Sequence, residues 1–352
     1  MDDRPNIFDL DRTQLCELVG QWGMPAYRAD QLLKWVYQQS VDDVEEMSNI
    51  GREHRQVVAE RLRLGSGRVV KDQEATDGTR KLLVRWDSGT GGETECVSIP
   101  AQKRRTACVS TQVGCAVGCK FCASGLEGLA GNLSSGQIVE QIWRLNQLDP
   151  AQRVTHVVFM GMGEPLANYA ELVKAIRTIM AEWALHLSGR RLTVSTVGLP
   201  AQMRRLASEG LPVTLAISLH ASNDRLRREL IPWAESVSIR QLIEAGRYYF
   251  DTTGREVTLE YLLLGGVNDR PEHATQLADV ARQLRCNVNL IAYNPIEGLP
   301  FKQPADDTVA RFQSLLQRAG VNTQLRASRG RDIAAACGQL RRQAAGANGV
   351  KA

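Results

Sequence analysis

At 352 residues the chain exceeds the roughly 100–200 residues of one ordinary domain, so a large unit plus a smaller one is expected. A hydrophobic content of 43% can bury a sizeable core, and a net charge of +4 permits a nucleic-acid partner without demanding one. No segment approaches the ~18 unbroken apolar residues of a membrane span, and the opening MDDRPNIFDL lacks the basic and apolar regions of a secretory signal, so a soluble cytoplasmic protein with no membrane partner is expected.

Residues 1–65 read as a small helical unit. LCELVGQWG, RADQLLKWVYQQ and REHRQVVAERL repeat apolar residues at three- and four-residue intervals, punctuated by Gly20, Gly23-Met24-Pro25 and Gly51. Residues 66–100 read as a strand-rich linker, with RKLLVRWDSG and ETECVSIP on either side of a Gly-rich turn at 88–92.

From there strands and helices alternate. Strands are expected at 106–112, 154–160, 192–196, 213–219, 257–263, 288–292 and 321–325. Helices are expected at 135–146, 169–184, 200–208, 239–250, 272–284 and 306–319. Such alternation builds a parallel sheet with crossover helices, an α/β fold. A closed eight-stranded barrel takes about 250 residues. Residues 101–345 have that length but fewer clear repeats, so an open, partial parallel barrel of about six strands plus a short last one is expected. Residues 346–352 lack an apolar pattern and read as a disordered tail.

The unusual residues fall just after the strands. CAVGCKFC follows the first and GMGEP the second; Ser195, Ser218-Leu219-His220 and Asn294 follow later ones, and Cys337 lies beyond the last. In a parallel barrel these positions share one rim, where active sites form.

Three of the eight cysteines, Cys115, Cys119 and Cys122, are clustered as C-x3-C-x2-C. The remaining five are scattered, which argues for metal or thiol chemistry and against a secreted disulfide framework. A structural zinc site needs four ligands, so a remote residue such as His156 or His220 would have to complete it. An iron–sulfur cubane held by three thiolates suits the pattern better, because it leaves one iron open to an exogenous ligand. Gly114 and Gly118 flank the cysteines, as a tight metal-wrapping loop requires.

C-x3-C-x2-C, with Phe121 before the third cysteine, resembles the radical S-adenosylmethionine superfamily. CVSTQVGCAVGCKFCASG, FMGMGEPLAN, AISLHASND, LIAYNP and AACGQL together resemble the dual-specificity 23S rRNA/tRNA adenine carbon-2 methyltransferases of the RlmN type, over nearly the whole chain. AYRADQLLKWVY is similar to that family's accessory domain, which implies an RNA-binding role for residues 1–65.

The resemblance implies one [4Fe–4S] cluster per chain on Cys115, Cys119 and Cys122, and two S-adenosylmethionine molecules consumed per methylation. Gly163 and Glu164 match the loop that holds the methionine amino group; Ser195, Ser218, Leu219, His220 and Asn294 match further cofactor contacts. Adenine carbon 2 is not a nucleophile, so simple displacement fails there. The family's solution implies that Cys337 carries a methyl group, which is activated by a 5′-deoxyadenosyl radical and added to the base. Cys108 then releases the product through a transient disulfide, and Glu95, with Glu93 the nearby alternative, accepts the carbon-2 proton. Arg329 and Arg331 are expected to favour the Cys337 thiolate. Cys16, Cys96 and Cys286 match nothing and read as packing residues.

The implied partners are 23S rRNA before ribosome assembly is complete, tRNA, and an electron donor such as flavodoxin or ferredoxin, with the enzyme itself a monomer. Lys103-Arg104-Arg105, Arg190-Arg191, Arg204-Arg205, Arg225 with Arg227-Arg228, and Arg326 through Arg331 are candidate phosphate contacts. The family's G-F-x-R-N-L stretch is altered here, with Leu129 and Gly131 in place of Phe and Arg, which removes a stacking face and a charge. Three alternatives stay open: the sister enzyme that methylates adenine carbon 8, a non-catalytic iron–sulfur RNA-binding protein, and a structural zinc module.

Overall fold

The N-terminal segment folds as predicted by its apolar spacing, in a computed structural model that describes residues 3–87 and 91–340. Helix α1 (Arg12–Gln21) starts at a capping box in which Asp11 and Gln14 satisfy each other's backbone N–H. Helices α2 (Tyr27–Leu33) and α3 (Arg52–Arg61) follow, α2 running on into a wider π turn over Lys34–Gln38.

Four strands come next: β1 (Gly67–Glu74), β2 (Arg80–Trp86), β3 (Glu93–Ala101) and β4 (Arg104–Cys108), each antiparallel to the one before. Of the turn expected at 88–92, residues 88–90 lie outside the described residues, as does the expected tail at 346–352. A short ribbon of β5 (Gln112–Gly114) and β6 (Leu129–Asn132) brackets the cysteine loop. The alternating part then runs α4 (Ser135–Gln147), β7 (His156–Phe159), α5 (Tyr169–Met180), β8 (Leu192–Thr196), α6 (Pro200–Ala207), β9 (Thr214–Ser218), α7 (Asp224–Leu230), α8 (Ile239–Thr253), β10 (Val257–Leu263), α9 (Pro271–Ala281), β11 (Cys286–Ala292), α10 (Asp306–Arg318) and β12 (Thr323–Arg326).

Ten strands make one sheet in the order β1-β2-β3-β4-β7-β8-β9-β10-β11-β12. From β4 onward every pairing is parallel, so six strands and a short seventh form the expected open barrel wall. β1 and β12 remain its two edges, and the sheet does not close. Residues 67–101 extend this same sheet on its β4 side.

Two boundaries differ from expectation for local reasons. The first parallel strand stops at Cys108, and residues 112–114 peel away to pair with β6; Gly114 turns there at φ +78°, with the Gly128 carbonyl packed where a Cβ would sit. Helix α5 stops at Met180 because Ala181 is extended (ψ 138°) and the chain turns back through His186 at φ +52°.

Helix α4 is buried almost all round, between the sheet and the N-terminal helices. Trp143 meets Phe8 at 5.0 Å, Phe8 meets Tyr37 at 5.4 Å, and Tyr37 meets Trp183 at 5.8 Å, a chain of tilted and edge-on rings that joins the two parts in one core. The buried Glu140 carboxylate accepts from the backbone N–H groups of Ser66 (2.8 Å) and Gly67 (2.9 Å) and pairs with Arg144 at 3.1 Å.

Candidate active site at the carboxyl rim

The loop after β4 carries the three clustered cysteines, and backbone bonds to distant segments hold it. Cys115 N–H donates to Gly128 O (3.0 Å), Lys120 N–H to Leu230 O (3.0 Å) and Ala123 N–H to Gly338 O (2.8 Å). The Ser124 hydroxyl donates to Leu340 O at 2.6 Å. These last two bonds bring the C-terminal segment, and Cys337 with it, onto the cysteine loop.

A cavity of about 880 Å³ opens there, lined by Cys115, Cys119, Cys122, Gly163, Glu164, Ser195, Ser218, His220 and Cys337. Nine of the predicted site residues thus share one wall. Burial, with mutual repulsion among the sulfurs, pushes the Cys115 thiol up to about 12 and the Cys119 thiol well above its ordinary value; burial also raises Cys122. Buried thiols of this kind ionise only against a compensating cation, which a metal centre supplies.

Glu164 is woven into the rim. One carboxylate oxygen accepts from Leu166 N–H (2.9 Å) and the other from Val197 N–H (2.7 Å), while its own N–H donates to Gln112 Oε1 (2.8 Å). Burial raises it to about 7 against these bonds. The lone pairs left over suit an ammonium ligand. Gly163 sits at φ +104°, and a Cβ there would lie 2.6 Å from the Gln112 Cβ, so only glycine fits. The hydroxyls of Ser195 and Ser218, at the ends of β8 and β9, lie 3.3 Å apart.

His220 has a defined tautomer. Its Nδ1 accepts from Leu262 N–H at 3.1 Å, which leaves the proton on Nε2. Burial, with the charge of Arg227, holds the imidazole down at about 3, so it is neutral at physiological pH. Phe121 packs edge-on against it at 5.1 Å.

Four predicted residues lie elsewhere. Cys108 and Asn294 line a second cavity of about 1220 Å³, and Cys337, Met160, Ile291 and Arg326 border both spaces. Leu219 is buried and off the wall; its N–H donates to Glu260 O at 3.0 Å. Glu95 is buried on β3 and pairs with Lys81 at 2.9 Å, lining neither cavity. Glu93 is taken up by Arg85 at 2.6 Å.

The charges around Cys337 differ from those expected. Arg331 is exposed; Arg329 borders the second cavity with Cys337 but pairs with Asp77 (3.8 Å), and Arg326 borders both cavities beside Cys337. Two of the presumed phosphate contacts are interior. Arg105 donates to the carbonyls of Leu145, Asp149 and Gln152, and Arg227 is 0% exposed. Neither had a local signal, because a basic run reads the same whether one member points in or out. Glu260 was missed for the same reason: it is an ordinary acidic residue on β10, yet it is buried on the first cavity's wall, 3.7 Å from Arg326.

The donor set fits a polynuclear cluster. The three thiols line one cavity at the C-x3-C-x2-C spacing. A cluster offering each thiolate its own iron tolerates that spacing. Asn294 Oδ1, on the second cavity's wall, is buried without a hydrogen-bond partner, which suits a wall built around a polar ligand.

An open parallel sheet with three rim cysteines and this polar wall defines an enzyme of the radical S-adenosylmethionine class. The Radical SAM superfamily matches residues 109–278, and the Ribosomal RNA large subunit methyltransferase N-terminal domain matches residues 5–64. A probable dual-specificity RNA methyltransferase RlmN of Rhodopirellula baltica is 44% identical over 94% of this chain and 88% of its own; another from Gloeobacter violaceus is 46% identical over 91% and 90%. The crystal structure of a radical SAM methyltransferase from Sphaerobacter thermophilus superimposes with a TM-score of 0.91 at 42% identity, covering 95% of this chain and 98% of that one. The chain belongs to the RlmN family of radical S-adenosylmethionine RNA methyltransferases and is a methyl-transferring enzyme. That superfamily implies a [4Fe–4S] cluster and S-adenosylmethionine. Among the described residues no helix is long and apolar enough to cross a membrane.

Proposed function

We propose that the enzyme methylates carbon 2 of a specific adenosine in 23S rRNA and of an adenosine in the tRNA anticodon loop, with Cys337 as methyl carrier and Cys108 as resolving thiol. The observation that carries this reading is the position of Cys337 between two cavities: the clustered cysteines line one and Cys108 the other.

Cys115, Cys119 and Cys122 would hold the cluster, and Gly163, Glu164, Ser195, Ser218 and His220 would hold S-adenosylmethionine against it. Bound there, they would supply a transferable methyl group and one-electron radical chemistry. Neutral His220 would present its Nε2–H as a fixed donor, and Glu164 would accept from the methionine ammonium. The flipped adenine would enter the second cavity, whose border includes Arg104, Arg326 and Arg329, cations suited to phosphates.

Cys337 faces both spaces, so it can take a methyl group on one side and present the carbon to the base on the other. Glu95 is the proposed acceptor of the carbon-2 proton; it lies on the Cys108 side of β3, two residues from Val97, which pairs with Cys108 across the strands. Cys108 would then attack the Cys337 sulfur and break its bond to the new carbon; the electron pair left on that carbon takes up a proton to complete the methyl group, and the disulfide is left for cellular thiols to reduce. Burial and the neighbouring Cys337 raise the Cys108 thiol to about 12, and the Arg326 charge works against that rise. Arg326 is therefore the cation that favours the attacking thiolate.

An anaerobic assay with methyl-labelled S-adenosylmethionine, a low-potential reductant and each RNA tests the reading. The expected product is 2-methyladenosine in both RNAs by mass spectrometry of the nucleosides. 8-Methyladenosine, or no RNA product from cluster-loaded enzyme, would overturn it.

A further inference from the structure

Among the described residues Arg227 pairs directly with no carboxylate, and Asp224 acts on its charge only from a distance. It is fully buried. Its guanidinium donates to the carbonyls of Val197, Val237 (3.4 Å) and Ser218 (3.5 Å), and its Nε has no partner. Those carbonyls are dipoles and leave the net charge intact. Asp224, one turn earlier on α7, accepts from Ile239 N–H at 2.7 Å, and Arg227 forms no ion pair among the described residues. A buried charge without a counter-charge is strongly unfavourable, so proteins retain one where something nearby completes it.

Arg227 acts on the cavity wall. Two of the carbonyls it holds, those of Val197 and Ser218, lie at the ends of β8 and β9, and both residues line the cavity. Its charge also bears on Cys119 and on His220, both of which line the cavity. A cubane held by three thiolates has one net negative charge in its oxidised resting state and two after accepting an electron. A fixed cation beside it favours the more negative state.

We propose that Arg227 is the built-in counter-charge of the cluster and sets how readily the cluster accepts its electron. The inference rests on the reading that Cys115, Cys119 and Cys122 hold a cubane. Arginine suits the position because its planar fork holds several carbonyls while keeping its charge. It is a positioning residue and needs no contact with substrate.

The test is a redox titration of the reconstituted holoprotein, followed by electron paramagnetic resonance, without S-adenosylmethionine or RNA. Iron and sulfide analysis comes first. R227Q is expected to lower the equilibrium constant for one-electron reduction at least tenfold, about 59 mV more negative. R227K, which keeps the charge and loses the fork, should stay near wild type. N223D supplies a milder variant: Asn223 caps α7 by accepting from Leu226 N–H at 3.0 Å, a role aspartate fills, and the change gives up the amide's bond to Gln276 Oε1 at 2.9 Å. It adds a carboxylate one turn from Arg227 and should shift the potential the same way by a smaller amount. If R227Q does not take up a cluster, R227K and N223D decide.

Wild-type potentials in R227Q and N223D would overturn the inference. So would an unchanged potential with weakened S-adenosylmethionine binding, which would assign Arg227 to the cofactor's carboxylate. If the wild type itself takes up no cubane, the underlying reading of the three cysteines falls instead.

Discussion

Lys81 and Glu95 pair at 2.9 Å across β2 and β3, with side chains 7% and 2% exposed, and the same ammonium donates to the Ala334 carbonyl at 3.1 Å. One buried charge thus ties the proposed proton acceptor to the segment carrying Cys337. Ala334 itself stands at φ +51°, so the backbone there depends on its partners. Lys81→Met removes the cation paired with a buried carboxylate and is expected to cost ~3–5 kcal/mol in denaturant unfolding. The double variant K81M/E95L should recover most of that stability and still fail to methylate RNA. Recovery of methylation along with stability would remove Glu95 from the chemistry.

Cys337 and Cys108 are expected to fail differently. Cys337→Ala removes the proposed methyl carrier, so no label should reach protein or RNA. Cys108→Ala leaves transfer to the base intact and blocks release, because no thiolate attacks the adduct. A denaturant-stable protein–RNA species, joined through Cys337 and collapsed by nuclease, should accumulate in cells and be visible on a gel. Normal turnover by Cys108→Ala would eliminate the two-thiol route.

The pH dependence of the cluster-free protein carries a signature of His220. Its folded value of about 3 lies below the ordinary 6.5. As pH falls below 6.5 the unfolded chain takes the proton first. The stability His220 contributes is therefore complete above 6.5 and lost toward 3, at up to ~1.4 kcal/mol per pH unit. Glu164 works in the opposite direction: raised from 4.5 to about 7, it costs stability as pH rises through that window. The two slopes oppose each other between 4.5 and 6.5. His220→Asn keeps an acceptor for Leu262 N–H and removes one slope, so its stability should fall relative to wild type as pH rises from 4.5 to 6.5. Parallel curves from urea unfolding would mean that His220 is not held neutral.

The N-terminal helices are expected to be needed for folding as well as for RNA. A chain beginning at Gly67 would expose Trp143, lose its contact with Phe8, and deprive Glu140 of the Ser66 N–H. It would also lose the bonds from Arg153 to the Tyr37 and Gln38 carbonyls. Fully burying one large apolar side chain contributes ~1.5–3 kcal/mol, and several are lost at once. A lowered melting temperature or insolubility should result; unchanged melting would show the contact to be dispensable.

What the amino-acid sequence determined by itself was whatever short-range pattern encodes. C-x3-C-x2-C confines three thiols to one loop whatever the rest of the chain does. The alternation of period-2 and period-3.6 apolar runs sets the order of strands and helices, and hence a parallel sheet with a rim that gathers Glu164, Ser195, Ser218 and His220. Only the tertiary structure decided which distant residues meet. Cys337 reaches the cluster loop because Gly338 and Leu340 accept bonds from Ala123 and Ser124, and it reaches Cys108 because β4 lies beneath that segment. Asn294 and Leu219 sit at strand ends like their neighbours, yet one faces the second cavity and the other packs inward. Arg227 and Arg105 belong to basic runs, and only packing turns them into the core. Side-chain periodicity records which face of an element is apolar. Which polar residue is buried, and against what, depends on pairings between strands and loops far apart in the chain.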